Sequence, residues 1–306
     1  MSPESAGCQA ERVTIPFRFG VVSMQPPRGS RWIDHVRRVE ELGYDTVVMP
    51  DNLGNGLAVF PALAAAAAAT SRLRLGSYVL ANDIRHPVQV AKEALAVALL
   101  SGGRLELGLG AGRAGSEADN AMLGLGFDSP GVRVSRLAES VSIIKRLLAG
   151  ETVDHESPYY SVAGASIVGW GVEPQAVPIL IAGGQRRMIT LAGAEADILA
   201  LGMSPETPAD EVAERIGWLR AAAAGRPVEV NLNLMAVGDA VPRYLDGRLD
   251  TARLAAAGAV GVATGSPAEI ADRLREQRDR LGISYIVVAD ELMDVFTPVV
   301  QRLAGE

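Results

Sequence analysis

The stretch that decides the fold runs from Tyr78 to Gly112 and reads YVLANDIRHPVQVAKEALAVALLSGGRLELGLGAG. An apolar, strand-like run ends in the polar cluster 82–87, and a helical run with apolar spacing follows from Val88 to Leu100. A second strand-like run, Arg104–Leu109, then opens into a glycine-rich turn. This order predicts a βαβ unit with polar groups at the carboxyl ends of both strands, where parallel α/β folds bind ligands.

The same alternation of strand and helix recurs along the chain. The predicted strands are Arg18–Ser23, Thr46–Met49, Leu75–Leu80, Arg104–Leu109, Ile179–Ala182, Ile198–Leu201, Val228–Ala236 and Tyr285–Ala289. The predicted helices are Trp32–Leu42, Ala58–Thr70, Val88–Leu100, Val132–Leu148, Met188–Ala194, Ala209–Ala224, Pro267–Leu281 and Met293–Leu303. Eight such units predict an α/β fold, a (β/α)8 TIM barrel; an open doubly wound sheet is the competing architecture.

One segment breaks the alternation. Residues of about 151–178 are aromatic and rich in Gly and Pro, which predicts a hairpin or a lid-like insertion between strands four and five. Residues 1–16 have no periodicity and are predicted to form a loose N-terminal extension. Residues 17–306 are predicted to form a single TIM-barrel domain.

Composition limits the classes of function. Of the 306 residues, 48% are hydrophobic and 21% are charged, which supports a large core and excludes global disorder. The net charge of -7 argues against nucleic acid as the main partner. We find no apolar run long enough for a bilayer and no secretory signal pattern. The single cysteine, Cys8, lies outside the predicted core and cannot form an internal disulfide, so we expect a cytoplasmic protein without a membrane partner.

Two glycine-rich turns are candidate ligand sites. The run from Gly110 to Gly115 fits G-x-G-x-x-G, but it follows the fourth strand rather than the first. We interpret it as a strand end where a ligand ring approaches the backbone; an ordinary glycine turn is the alternative. The run from Ile181 to Arg187 predicts a strand, a Gly-Gly turn and a helix start, which suit a cofactor phosphate. A plain loop with solvated arginines is the alternative.

The chain lacks the patterns of a metal site or of its own nucleophile. We find no His, Cys and carboxylate cluster with metal spacing and no G-x-S-x-G elbow. Of the three histidines, His86 is predicted to enter a helix, His35 to be exposed on the first helix and His155 to lie in the insertion. A cofactor is therefore expected to carry the chemistry. Polar pairs after strand two (Asp51 and Asn52) and strand three (Asn82 and Asp83) either contact the ligand or only cap helices and turns.

Several short motifs together carry a family resemblance. They are Phe17-Arg18-Phe19-Gly20-Val21, Leu42-Gly43-Tyr44-Asp45 with Pro50-Asp51, Asn82-Asp83-Ile84-Arg85-His86-Pro87, Ser101-Gly102-Gly103-Arg104 with Leu107-Gly108-Leu109-Gly110-Ala111-Gly112, and Ala182-Gly183-Gly184. With these motifs the chain resembles, over about residues 17–290, the luciferase-like monooxygenase superfamily and its branch of oxidoreductases that use the deazaflavin coenzyme F420. The resemblance implies a cofactor ring across the strand ends, a phosphate near Gly183 and Gly184, and a cis peptide at Tyr78–Val79. FMN is the alternative cofactor, because FMN users share the fold.

Two departures from the family pattern bear on the reaction. Many relatives carry Asp-His after strand two, where this chain has Asn52, which cannot act as a general acid or base. Sugar-phosphate dehydrogenase relatives carry a glutamate after the strand-four glycines, where this chain has Arg113, a fixed cation. These departures disfavour oxidation of an alcohol or sugar phosphate. They favour hydride transfer from the reduced deazaflavin to an activated C=C or C=N bond, with a proton from solvent, Tyr78, Glu117 or Asp83. Arg113 is also a candidate for binding a carboxylate or carbonyl oxygen of the substrate.

The resemblance and the residues together define the predicted site. The predicted catalytic residues are Asn52, Tyr78, Arg113 and Glu117. The predicted cofactor-binding residues are Asp51, Tyr78, Val79, Asn82, Gly110, Ala111, Gly112, Ala182, Gly183, Gly184, Gln185 and Arg186. The alternatives are an FMNH2-dependent monooxygenase that uses O2 and a non-enzymatic relative that binds the cofactor. The expected partners are a small-molecule substrate and a second copy of the chain, since the Ala-rich second and third helices could pack against one.

Overall fold

The computed structural model describes residues 15–24, 30–54, 56–113 and 115–306, with only the backbone of Ser30. Cys8 and residues 1–14 of the predicted extension lie outside the described residues. Eight parallel strands form the main sheet, and we number them by their order in the barrel. They are Arg18–Val22, Thr46–Met49, Arg74–Ser77, Leu105–Gly110, Ile179–Gly183, Ile198–Leu201, Glu229–Leu234 and Ile283–Ala289.

The sheet closes into a barrel. Each strand pairs in parallel with its predecessor along the chain, and the first strand pairs with the eighth, with Arg18 opposite Tyr285. The third strand pairs with the fourth, with Leu75 opposite Leu105. No edge is left open among these eight strands, so the predicted (β/α)8 barrel is confirmed and the open doubly wound sheet is wrong.

Helices surround the barrel. The long ones are Ser30–Glu41, Val59–Ala69, Pro87–Ser101, Pro130–Leu148, Arg186–Glu195, Ala209–Ala223, Pro267–Leu281 and Met293–Leu303. Shorter helices are Glu117–Met122 and Thr251–Ala256, and single 3-10 turns are Asn82–Ile84, Arg243–Leu245 and Asp290–Leu292. None of the helices in the described part of the chain is long and apolar enough to cross a membrane.

Among the described residues, two small strand pairs and one short extra strand accompany the ring of eight. Val153–Glu156 and Ser161–Ala165 form an antiparallel hairpin, which confirms the hairpin predicted for the insertion. Leu80–Ala81 pairs with the end of the fourth strand. Ala236–Val237 pairs with Val262–Ala263.

The third predicted strand is interrupted. The sequence predicts one strand over Leu75–Leu80, but the strand ends at Ser77 and pairing resumes only at Leu80. The peptide between Tyr78 and Val79 is cis, as the resemblance predicted. The side chains of Tyr78 and Val79 pack at the top of an apolar layer inside the barrel.

The motif Ser101-Gly102-Gly103-Arg104 has a structural role. Gly102 and Gly103 have φ values of 65° and 82°, which end the third long helix in a conformation that favours glycine. Arg104 then donates hydrogen bonds to the carbonyl oxygens of Ala67, Leu73 and Ser101. One guanidinium therefore satisfies the carbonyl ends of two helices and the start of the third strand.

Charge inside the barrel is concentrated at its amino-terminal end. The carboxylate of Glu106 accepts from Arg18 and from Arg74, each at 2.5 Å, and Arg18 also donates to Glu229. The interior next to these charges is mostly apolar, and the guanidinium of Arg18 lies 4.1 Å from the ring of Tyr285. The inward-facing layer of this interior, here called the apolar layer, consists of Val22, Val48, Leu180, Ile198, Ala200, Tyr285 and Val287.

Candidate active site

The glycines after the fourth strand bring two strands into close contact. A Cβ atom on Gly108 would collide with the carbonyl oxygen of Ser77, and one on Gly110 would lie 2.5 Å from Cγ2 of Val79. Because these glycines lack side chains, the backbone of the fourth strand packs directly against Ser77 and Val79, beside the cis peptide. Gly112, with φ of 76°, is exposed and lies between Arg133 and the ring of Phe127. The predicted approach of a ligand ring to this turn stays a prediction.

The side chain of Tyr78 faces into the barrel and is held there by a hydrogen bond. Its hydroxyl donates to Oδ1 of Asn231 at 2.7 Å. Burial raises the pKa of Tyr78 above its ordinary value, so the phenol stays protonated near neutral pH. Asn231 is fully buried, and its Nδ2 has no partner in the described part of the chain. Tyr78 is therefore suited to support a bound ligand in a fixed position and is poorly suited to donate a proton.

Asn231 is a residue that the sequence reasoning missed. It lies on the seventh strand, in register with Tyr285, and Asn233 lies in register with Val287. The strand reads Val-Asn-Leu-Asn-Leu, so its asparagines alternate with apolar residues. That alternation was the available signal, because one face of a barrel strand points to the interior.

The loop Asn82–His86, here called the third-strand loop, is held by partners from several elements. Arg85 donates to both carboxylate oxygens of Asp51, at 2.6 and 2.7 Å. Nδ2 of Asn82 donates to the hydroxyl of Tyr160 in the insertion at 3.1 Å. Two of the residues predicted to bind the cofactor, Asp51 and Asn82, therefore use their polar groups within the protein.

Asp83 and His86 of the third-strand loop also have partners within the protein, although Oδ2 of Asp83 is buried without a hydrogen bond among the described residues. Asp83, with 3% of its side chain exposed, accepts from Arg136 at 2.7 Å. His86 caps the third long helix by accepting from the N–H of Val88. Asp83 is a predicted candidate for the proton donor; its Oδ1 is occupied by Arg136, and its catalytic role stays a prediction.

The other predicted catalytic residues stand on separate loops. Asn52 is half-buried and directly follows Asp51. Arg113 is exposed beyond the glycines of the fourth strand, and its backbone N–H donates to Ser116. Glu117 is exposed at the start of the short helix, where its carboxylate accepts from the N–H of Gly115 at 2.6 Å. The catalytic roles given to these residues stay predictions.

A cavity of about 550 Å³ opens beside the fifth and sixth strands; we call it the glycine-turn pocket. A Cβ atom on Gly184 would collide with the carbonyl oxygen of Gly202, so the two turns approach each other backbone to backbone. Arg215 donates to that same carbonyl at 3.0 Å and to Glu211. The pocket is lined by Gly184, Gln185, Gly202, Met203, Ser204, Glu206, Thr207, Pro208, Glu211 and Arg215.

The electrostatics of the glycine-turn pocket suit an anion. The helices Arg186–Glu195 and Ala209–Ala223 both begin at residues beside the pocket, and neither has a side chain capping its first N–H groups. Uncapped N–H groups at helix starts attract negative charge. The two carboxylates at the pocket are each paired with an arginine: Glu211 with Arg215, and Glu206 with Arg253. A phosphate is therefore an appropriate occupant.

The guanidinium that lines the pocket is not the predicted one. Arg186 was predicted to bind the cofactor, but it does not line the pocket, and its guanidinium lies 5.9 Å from the ring of Trp218. Arg187 donates to Ser135 on another helix. Arg215 was missed, although its i,i+4 pairing with Glu211 on the helix after the sixth strand was visible in the sequence.

A histidine expected on the surface is largely buried. His35 was predicted to be exposed, but only 10% of its side chain is accessible. Its Nε2 lies 2.9 Å from the hydroxyl of Ser23 and 3.1 Å from Oδ1 of Asp290. This cluster joins the first helix to the ends of the first and eighth strands. Among the described residues, no group of three or more His, Cys, Asp and Glu could hold a metal ion.

Comparisons with known proteins place the chain in a family. The family described as luciferase-like monooxygenase matches residues 12–242. The F420-dependent glucose-6-phosphate dehydrogenase of Microbacterium testaceum is 35% identical over 205 residues, which are 63% of this chain and 60% of that protein. The enzyme of the same name from Nakamurella multipartita is 34% identical over 206 residues, which are 64% of this chain and 59% of that protein. The chain thus spans about three fifths of the length of these curated relatives.

Solved structures show the same fold. A coenzyme F420-dependent tetrahydromethanopterin reductase from Methanopyrus kandleri matches with a TM-score of 0.75 at 18% identity, over 94% of this chain and 99% of that chain. An F420-dependent secondary alcohol dehydrogenase matches with a TM-score of 0.74 at 16% identity, over 93% of this chain and 99% of that one. With the family match over residues 12–242, this chain belongs to the luciferase-like monooxygenase family.

Proposed function

We propose that this protein is a coenzyme F420-dependent oxidoreductase that transfers hydride to an activated C=C or C=N bond of a small organic molecule. The curated relatives carry F420-dependent names, which agrees with the prediction from sequence. The observation that carries the proposal is the glycine-turn pocket, with two uncapped helix starts and Arg215 at the carboxyl edge of the barrel. This edge is where TIM-barrel enzymes place their active sites.

The residues present fit such a cofactor. Gly184 and Gln185, with the guanidinium of Arg215, would hold its phosphate. Tyr78, Val79 and Ala182 pack together on the apolar layer and would support its ring. When bound, the reduced deazaflavin supplies a hydride and reacts poorly with O2.

The remaining residues favour reduction over oxidation. Oxidising an alcohol requires a base to remove its proton, and Asn52 cannot act as one. Reducing a polarised double bond requires a proton that solvent can deliver, and a cation such as Arg113 would stabilise negative charge developing on a substrate oxygen. The relatives named as glucose-6-phosphate dehydrogenases thus differ from our proposal in substrate.

We also propose a cytoplasmic homodimer. The helix Val59–Ala69 consists mostly of alanine, and Ala64, Ala65 and Ala69 remain partly accessible. Such a surface allows close approach of another helix. Light scattering on the purified chain, with a mass near twice 32.1 kDa, would support the dimer.

Titration of the purified chain with oxidised coenzyme F420 and, separately, with FMN tests the proposal. We expect tight binding of the deazaflavin and weak binding of FMN, followed by turnover of unsaturated substrates with the reduced cofactor. Tight FMN binding would contradict the proposal and favour an oxygen-dependent monooxygenase. Binding of neither would contradict the proposal, and binding of F420 without turnover of any substrate would favour the non-enzymatic relative that binds the cofactor. Turnover of glucose 6-phosphate with oxidised F420 would contradict the proposed direction of the reaction.

A further inference from the structure

Large apolar side chains remain exposed on the loops that follow the barrel strands. Of eleven such exposed side chains in the described residues, six lie on these loops. They are Met24 after the first strand, Leu53 after the second, Met122, Leu123 and Leu125 after the fourth, and Tyr244 after the seventh. We call this set the apolar rim. Exposed apolar residues gathered at one end of a domain, rather than scattered over its surface, are typical of a binding surface.

The apolar rim adjoins the mouth of the barrel. The short helix Glu117–Met122, which precedes Leu123, contacts the turn Asn82–Ile84 after the third strand. The ring of Phe127, just beyond Leu125, would lie 3.6 Å from a Cβ atom on Gly112. Because loops after the strands of a closed barrel surround one opening, side chains from four of them share that opening.

The apolar layer beneath the rim contains no charged residue. The apolar layer is covered by Tyr78, Val79 and Ala182. The polar groups beside it include the buried hydroxyl of Tyr285 and, in register with Tyr285 and Val287, the amides of Asn231 and Asn233. The charged cluster of Glu106 and its arginines lies on the amino-terminal side of this layer, where the guanidinium of Arg18 is 4.1 Å from the ring of Tyr285.

The charged side chains beside the mouth are largely neutralised in pairs. Asp51 is bound by Arg85, and Arg243 lies 3.3 Å from Glu291. Arg113 is an exposed cation there. A phosphorylated or multiply charged substrate would lose its hydration at the mouth without an array of cations to replace it.

We infer that the mouth binds an uncharged, largely apolar organic molecule, with the apolar rim covering its hydrocarbon part and an amide or Arg113 contacting one oxygen. Calling this molecule the substrate rests on the proposed function, but its binding does not. The occupant is a small molecule rather than a second copy, because the rim residues come from four loops around one opening rather than from a single helix face.

The test is a fluorescence titration of the full chain with Nile red, an uncharged apolar dye. We compare the wild type with Leu123→Glu and with the matched control Leu100→Glu. Both leucines are exposed, by 50% and 69%, and Leu100 lies at the end of the helix Pro87–Ser101, outside the rim. We expect the dye affinity to fall at least tenfold in Leu123→Glu and to stay within twofold in Leu100→Glu, with equal melting temperatures confirming that both variants fold.

Competition and parallel measurements separate the outcomes. Cyclohexenone should displace the dye from the wild type, whereas glucose 6-phosphate at the same concentration should not. Equal dye affinity in the wild type and Leu123→Glu, or displacement by glucose 6-phosphate, would overturn the inference. So would light scattering that shows Leu123→Glu alone dissociating a dimer, because the rim would then be covered by a second copy. Failure to bind coenzyme F420 would refute the proposed function and leave the dye result standing.

Discussion

Two groups of loops at the carboxyl edge of the barrel differ in whether their hydrogen-bonding groups are paired within the protein. The third-strand loop, Asn82–His86, is rich in polar side chains, and its Asn82, Asp83, Arg85 and His86 each have a partner within the protein. Among the described residues of this loop, only Oδ2 of Asp83 is a buried side-chain atom without a hydrogen-bond partner. The turns after the fifth and sixth strands are rich in glycine and leave a cavity with uncapped helix starts. The difference teaches that polar residues after a barrel strand do not by themselves mark a ligand site. Hydrogen-bonding groups that the protein leaves unpaired are the better mark.

The largest effect is expected from removing a buried ion pair in the third-strand loop. Asp83→Ala leaves the guanidinium of Arg136 without its buried partner, which we expect to lower the free energy of unfolding by about 3 kcal/mol. Asp128→Ala removes the exposed partner of the same arginine and should cost at most about 1 kcal/mol. Urea denaturation measures both. Equal losses would show that the third-strand loop does not depend on its internal pairing.

The next effect concerns the shape of the glycine-turn pocket. The methyl group of Gly184→Ala would collide with the carbonyl oxygen of Gly202 and force the two turns apart. We expect the affinity for coenzyme F420 to fall about a hundredfold, roughly 2.7 kcal/mol. Gly217→Ala, on the helix Ala209–Ala223 with open space around the new methyl group, is the matched control and should leave the affinity unchanged. Full affinity in Gly184→Ala would place the cofactor elsewhere.

A smaller effect distinguishes the two arginines near that pocket. Arg215→Ala removes the guanidinium that lines it, and a lost charged hydrogen bond of about 1.5 kcal/mol corresponds to roughly a tenfold loss of affinity. The guanidinium of Arg186 lies near Trp218 instead, so Arg186→Ala should lower the affinity for coenzyme F420 by less than about twofold. Cofactor titration by fluorescence compares them. A larger loss in Arg186→Ala would restore the assignment made from sequence.

The smallest effect is expected at Tyr78, between the two regions. Burial raises the pKa of Tyr78, so the phenol stays neutral as the pH rises from 6 to 9 and no charge on it can appear in that range. Tyr78→Phe should therefore change the rate of reduction by less than about threefold and leave the shape of its pH profile intact. A step in the wild-type profile that disappears in Tyr78→Phe would identify the phenol as the proton donor after all.

The barrel itself was predictable from sequence because each strand and helix carries its own local signal. The strands Thr46–Met49 and Ile198–Leu201 and the helix Pro267–Leu281 have the bounds that the apolar periodicity predicts. The third strand is shorter than predicted because the chain leaves the strand after Ser77. Tyr78 and Val79 are themselves apolar, so the sequence pattern does not reveal where the strand ends.

The site was less predictable because its contacts join distant parts of the chain. The partners Asp83 and Arg136 lie 53 residues apart, and Tyr78 and Asn231 lie 153 apart. Whether a polar residue after a strand is free for a ligand depends on such partners. The packing of the whole barrel determines these hydrogen-bond partners, and the local spacing of residues in the sequence does not.

The most direct test of the account compares coenzyme F420 with the same deazaflavin lacking its phosphate, in the wild type and in Arg215→Ala. If the glycine-turn pocket holds the phosphate, removing the phosphate should weaken binding to the wild type about tenfold, roughly 1.4 kcal/mol. The same removal should weaken binding to Arg215→Ala by clearly less, because one partner of the phosphate is already gone while the N–H groups at the helix starts remain. An equal loss of affinity in both proteins would contradict the assignment of this pocket to the cofactor.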